Sequence, residues 1–231
     1  MSIKENISKI KEEMTKAALA AGRDPKEILL CAATKMNEAN AVRAAISAGV
    51  DCCGENRVQE LTQKQSENAY EGAPVHFIGH LQTNKVKQVV GKVSLIQSID
   101  STRLLEAVNK EAERQGIRQD ILLEINIGNE KSKSGFSVDE IDSVLSQIGK
   151  FSAIRVLGFM TIPPICQNST GNHKFFQKMY NLSVDIMEKK YDNVCVDILS
   201  MGMSDDFADA IACGSTMIRV GTAIFGARDY S

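Results

Sequence analysis

Tryptophan is absent from this chain of 231 residues, and aromatic side chains make up only 5% of it. So thin a supply of flat rings argues against a single-stranded nucleic-acid surface, which needs stacking platforms. An excess of one charge sign is lacking too: 27 Lys and Arg face 29 Asp and Glu, a formal net charge of −2. The two signs are mixed along the chain, so no basic field exists to hold a phosphate backbone. No apolar run approaches the ~18 residues of a membrane span. Met1 to Gly22 contains no apolar export core, because Lys4, Glu5, Lys9, Lys11, Glu12 and Glu13 interrupt it. The six cysteines (Cys31, Cys52, Cys53, Cys166, Cys195 and Cys213) include no CxxC pair, and the three histidines stand at no ligand spacing from them. Zinc therefore has no local signature here, and the cysteines read as reduced thiols of a cytoplasmic protein. Nor does a GxGxxG turn open any helix, which removes the dinucleotide fingerprint.

What is present begins with an amphipathic N-terminal segment. Ile3, Ile7, Ile10, Met14 and Ala17 recur at helical spacing, so the spacing predicts a helix laid on the core. Ile28 to Lys35 follows, a short apolar run that stops on a lysine. The run is too short for a buried helix and reads as an interior strand of a parallel sheet. In α/β folds ligands gather at the carboxyl ends of such strands. An amine there, walled by apolar groups, loses hydration; its pKa falls and it becomes a nucleophile suited to a Schiff base with an aldehyde. The alternative is a lysine that extends its head into solvent.

Seven more strand-like runs succeed it: Val50–Gly54, Pro74–Gly79, Ser94–Ile99, Asp120–Asn126, Ile154–Met160, Val194–Leu199 and Thr216–Val220. Helical patterns lie between them. One runs from Asn37 or Glu38 to Ser47 and ends at Gly49, one begins with the capping box Ser137-x-x-Glu140, and one spans His173–Lys190. Ser204 is expected to cap a short helix with Asp205 and Asp206 in its first turn. Strict strand–helix alternation without linker or low-complexity segment predicts an α/β fold, a single (β/α)8 TIM barrel over residues 1–231 with an added N-terminal helix. A doubly wound open sheet is the runner-up. No long apolar stripe is left to demand a partner copy, so a monomer is expected.

In a barrel the strand ends converge on one mouth, which here collects Lys35, Glu55, Asn56, His80, Asp100, Asn126, Thr161, Ser200, Gly221 and Thr222. Barrels commonly seat a phosphate on the loops after the last two strands. Ser200–Ser204 and Gly221–Gly226 are small enough for that, or are ordinary turns. Asp205 and Asp206 would repel an anion after the seventh strand. The phosphate is therefore expected on Gly221 and Thr222, with Ser200 reaching it from the side. Arg219 lies in an apolar strand on the face of Gly221, where an unpaired guanidinium is costly. It serves either a ligand acceptor or a buried ion pair with Glu124 or Glu55. Asn56 either donates to a ligand or caps its helix, and His80 is either an acid–base group or structural. Lys131 and Lys133 read as a solvated rim.

Several runs carry a likeness beyond this template: Ala33-Thr34-Lys35, Gly54-Glu55-Asn56, His76-Phe77-Ile78-Gly79, Lys133-Ser134-Gly135, Leu199 to Asp206, and Gly214 to Gly226. Together they resemble the YggS/PROSC family of pyridoxal phosphate homeostasis proteins, from about Ile28 to Tyr230. The resemblance implies a barrel of the alanine racemase N-terminal type without the racemase's second domain. It implies pyridoxal 5′-phosphate (PLP) held as an aldimine on Lys35, with Ser200, Gly221 and Thr222 at its phosphate, Arg219 at the pyridine nitrogen and Asn56 beside it. One departure stands next to the lysine. Met36-Asn37-Glu38 replaces the family's small or polar residue and proline.

The role so implied is to carry PLP and maintain vitamin B6 homeostasis without robust turnover, with PLP-dependent apoenzymes as partners. An arginine at the pyridine nitrogen weakens the ring as an electron sink. The racemases of this fold use a tyrosine from their second domain as the opposite base, and Tyr70, Tyr180, Tyr191 and Tyr230 lie at no strand end here. The alternatives are a PLP-dependent racemase or isomerase, and a cofactor-free Schiff-base aldolase.

Overall fold

The computed structural model describes residues 1–130, 132–164 and 169–226. Lys131, Cys166 and Tyr230, named above, lie outside the described residues, as does part of the loop from Cys166 to Asn172.

Eight parallel strands close into one barrel in sequence order. They are β1 (Leu29–Ala33), β2 (Cys52–Glu55), β3 (Val75–Phe77), β4 (Leu95–Ile99), β5 (Gln119–Glu124), β6 (Ile154–Met160), β7 (Val194–Ser200) and β8 (Met217–Val220). The ring shuts where β8 lies beside β1, with Cys31 opposite Arg219 and Ala32 opposite Val220. Open-sheet winding is thereby excluded. Each strand is somewhat shorter than its apolar run, except β6, which keeps the same bounds, and β7, which is one residue longer. Pairing ends where the backbone turns toward the mouths.

The helices around the barrel are α1 (Ile3–Ala20), α2 (Ala39–Ser47), α3 (Val58–Ser66), α4 (Thr102–Gln115), α5 (Ile141–Ile148), α6 (His173–Lys189), α7 (Phe207–Ala212) and α8 (Thr222–Phe225). α4 shows why these residues form helices. Ser101 caps it by accepting from the Leu104 N–H, Leu104, Leu105, Val108 and Ala112 face the core, and Gly116 ends it at φ +66°. The alternation is broken once: a 3-10 segment, Thr83–Gln88, stands between β3 and β4. The Ser137–Glu140 capping box opens a 3-10 turn, and α5 begins only at Ile141.

α7 also departs from expectation. It starts at Phe207, and its N-cap residue is Asp206, not Ser204. Asp206 Oδ1 accepts from the Met203 N–H at 2.6 Å and Oδ2 from Asn172 at 2.7 Å. Those bonds turn the loop once more before the helix begins. α1 presents Ile7, Ile10, Met14 and Ala18 to the core and packs on α7, α8 and α2. No described helix is long and apolar enough to cross a membrane.

Candidate functional site

A cavity of about 440 Å³ opens at the carboxyl-terminal mouth of the barrel, within the size range of small-molecule sites. Lys35, Asn56, Arg219, Gly221 and Thr222 meet in its wall. Ser200 does not. It is fully buried below, where its hydroxyl donates to Gln97 Oε1 at 2.7 Å and accepts from Arg219 Nη1 at 2.7 Å. The expectation that Ser200 reaches a phosphate is corrected on this point. As the last residue of β7 its side chain points into the barrel, and Ser204, one turn of loop later, joins Thr222 and Ser134 as a hydroxyl-bearing residue of the wall. Ser204 Oγ also lies 3.4 Å from the Ala223 N–H, which joins the two loops.

Lys35 is half-buried, just past the end of β1. The residues on both sides of it are pinned by Glu55, named above, and by Lys64 and Glu60, which the sequence reading left out. Thr34 donates from Oγ1 to Glu55 Oε1 at 2.6 Å, and its carbonyl accepts from Lys64 Nζ at 2.7 Å. Lys64 completes a buried ion pair with Glu55 at 2.6 Å. Glu60 Oε2 takes the Met36 N–H at 2.6 Å and stands 3.3 Å from Lys64 Nζ. Met36 itself is held at φ +60°, a left-handed conformation uncommon for a residue with a side chain. The bend that this allows turns the chain away immediately after the lysine. The unusual Met36-Asn37-Glu38 run therefore folds as a clamped turn. A signal for the clamp was present: Glu60 and Lys64 are four apart on α3, a spacing that pairs charges.

Arg219 forms no ion pair with Glu55, whose partner is Lys64, and none with Glu124. Its Nη1 donates to the Ser200 carbonyl at 2.8 Å and its Nη2 to the Thr161 carbonyl at 2.9 Å. Burial pulls the guanidinium pKa below its usual value, an effect that nearby acidic groups partly offset. Glu124, at the end of β5, also faces the cavity. Burial, then the charge of Asp100, pushes its carboxyl up to about 7, against the opposing pull of Arg219 and His80. His80 stands on the rim with Nδ1 2.9 Å from Asp100 Oδ2. Lys133 is not a freely solvated rim residue. Its amine bonds to Glu130 at 2.7 Å and to the Pro163 carbonyl at 2.9 Å.

Two features leave room for a ligand that carries donors and an anion. Asn56 Oδ1 is buried on the wall with no hydrogen-bond partner, so it waits for a donor. The turn at Gly221 and Thr222 opens α8, whose first N–H groups lack intrahelical acceptors. A side chain at Gly79 would strike the Asn56 carbonyl, so only glycine lets β3 approach closely enough to form this wall. Among the described residues no tyrosine lines the cavity. The set of an amine, an arginine, an open amide acceptor and a glycine–threonine turn fits a phosphorylated aldehyde.

Comparison with known proteins agrees with that chemistry. Residues 2–229 match the family described as alanine racemase, N-terminal domain. A pyridoxal phosphate homeostasis protein of Aquifex aeolicus is 38% identical, with all of both chains covered. One of Escherichia coli K12 is 37% identical over 99% of this chain and 98% of its own. PipY of Synechococcus elongatus, solved with PLP bound, superposes with a TM-score of 0.84 at 28% identity, covering 97% of this chain and all of PipY. An alanine racemase of Clostridium difficile shares the fold at a TM-score of 0.72 and 14% identity, and the alignment covers 57% of the racemase chain.

Proposed function

The chain belongs to the pyridoxal phosphate homeostasis proteins of the alanine racemase N-terminal domain family, and from that premise we infer that it binds PLP and serves PLP homeostasis. The observation that carries the reading is the cavity itself. One mouth of the barrel brings Lys35, the open acceptor of Asn56, Arg219 and the Gly221–Thr222 turn around a volume of about 440 Å³. Bound there, PLP supplies an aldehyde and an electron-withdrawing pyridine ring.

Lys35 is the amine that holds the aldehyde covalently, and the Thr34–Glu55–Lys64 and Met36–Glu60 bonds fix where that amine is presented. Gly221 and Thr222 offer N–H groups to the phosphate, with Ser204 beside them. Asn56 accepts from a hydroxyl of the ring. Arg219, held by two backbone carbonyls, presents its guanidinium to the ring nitrogen and keeps a proton off that atom.

The protein acts as a carrier without robust turnover. Racemisation needs a base on each face of the substrate carbon, and Lys35 provides one. A carrier of this kind hands PLP to apoenzymes of the cytoplasm and works as a monomer. Incubating the holoprotein with alanine and serine in deuterated water separates carrier from isomerase. Exchange of the α-proton at enzyme-like rates would establish the isomerase. The site itself is tested by Lys35→Ala. The variant is expected to lose the visible absorption of the parent, and borohydride reduction of the parent to leave a pyridoxyl adduct on the Lys35 peptide. Undiminished colour in the variant, or an adduct on another lysine, defeats the assignment. A colourless parent would instead point to the cofactor-free aldolase.

A further inference from the structure

A second group of chemically able side chains lies inside the barrel, beneath the cavity. Cys31 and His76 sit in the middle of β1 and β3, Cys31 opposite Arg219, and Cys52 begins β2. Cys31 is in register with Cys52 on the neighbouring strand. The thiols of both and a ring nitrogen of His76 all lie within 4.8 Å of one another, and all three residues are buried. Met217 packs on the two cysteines. We propose that Cys31, Cys52 and His76 bind a thiophilic closed-shell cation, Zn2+ or Cu+, inside the barrel.

The donor set is the first reason. Two thiols and one imidazole are soft and borderline ligands, which select such cations over Mg2+ or Ca2+. Spacing is the second. Zn–S bonds of about 2.3 Å and Zn–N bonds of about 2.0 Å place tetrahedral donors roughly 3.5–3.8 Å apart. Side-chain rotation on paired strands closes the remaining gap. Charge is the third. Two thiolates cancel Zn2+, and one thiolate beside a neutral thiol cancels Cu+, so the filled site adds no net charge to the interior.

Binding displaces the thiol protons that the cation's charge replaces. An outer partner is also in place. Gln97 Nε2 lies 2.9 Å from His76 Nδ1, which leaves Nε2 of the ring as ligand. Turning the Gln97 amide over lets its oxygen accept from Nδ1–H, the support that metal-bound histidines usually receive.

The test uses the reduced, metal-free full-length protein. Cadmium, a spectroscopic substitute for zinc, is titrated against a competing chelator, and Zn2+ and Cu+ are then used to displace it. One equivalent per chain is expected, with thiolate-to-cadmium absorption in the ultraviolet. Cys31→Ser or Cys52→Ser should each weaken binding roughly 100-fold or more. Cys213→Ser, which removes a thiol 3.4 Å from His173 Nδ1, should leave it unchanged. Cadmium NMR of the unmodified protein keeps the question open to refutation should a serine variant fail to fold: a resonance shifted into the thiolate range supports the site. An oxygen-only resonance, no stoichiometric binding, or binding lost with Cys213 instead overturns it. Displacement by Zn2+ alone or by Cu+ alone identifies which cation the site prefers. None of these readouts depends on PLP.

Discussion

Glu124 shows how one buried side chain makes stability depend on pH. Its carboxyl keeps a proton to about pH 7 in the fold and releases it near 4.5 in the unfolded chain. Between those values the native state holds the extra proton, so stability falls as pH rises. The loss approaches 2–3 kcal/mol by neutrality, at about 1.4 kcal/mol per unit. Below pH 4.5 both states are protonated and Glu124 contributes no slope. Glu124→Gln stays neutral throughout, and urea midpoints between pH 4.5 and 7.5 should fall less steeply for it than for the parent. Parallel profiles would show that the carboxyl is not held neutral. Sequence alone located this acid only as a partner for Arg219. Its effect comes from burial and from Asp100 just past the neighbouring strand β4, neither of which spacing along the chain reveals. Lys35 and Arg219 were legible because each interrupts an apolar run. Ser200 was misplaced because a strand-end serine can point to the mouth or below it, and only the closed barrel decides.

The stretch from β1 to α3 adds a buried ion pair to its apolar packing. Glu55 and Lys64 are buried together, so removing one strands the other. Lys64→Met should cost about 3–5 kcal/mol. Pairing it with Glu55→Gln should recover much of that loss, measured as a double-mutant cycle in urea. A double-variant loss equal to the sum of the two single losses would mean that the pair is not coupled. The visible absorption of the PLP-loaded single variant should also drop, because the turn presenting Lys35 loses its anchor at the Thr34 carbonyl. At this scale the chain was largely readable. Apolar runs located all eight strands, and the face of Leu104, Leu105, Val108 and Ala112 located α4. What escaped was the onset of α7, because Ser204 and Asp206 are both good cap residues. The hydrogen bonds of Asp206 to Met203 and Asn172 settle that choice.

For the whole molecule, α1 seals the ring. Ile7, Ile10 and Met14 are buried against the last and first barrel units, and Asn6 Nδ2 donates to the Ile224 carbonyl at 2.8 Å. Arg23, just past the helix, bonds the carbonyls of Ile211 and Ser215. Ile7→Ala or Ile10→Ala should each lower unfolding free energy by about 2–5 kcal/mol, read from chemical denaturation. A loss under about 0.5 kcal/mol would mean the helix merely rests on the surface. The amphipathic spacing of α1 was plain in the sequence, but its docking partners, about 200 residues downstream, were not. The meeting of Cys31, Cys52 and His76 was hidden for another reason: they come from three successive strands, and no local motif encodes it. Because β8 returns to lie beside β1, every strand has a neighbour on both sides. Among the described strands no row of backbone donors and acceptors is left for a second molecule to extend. Crowding the protein to high concentration therefore offers no template for fibrous growth.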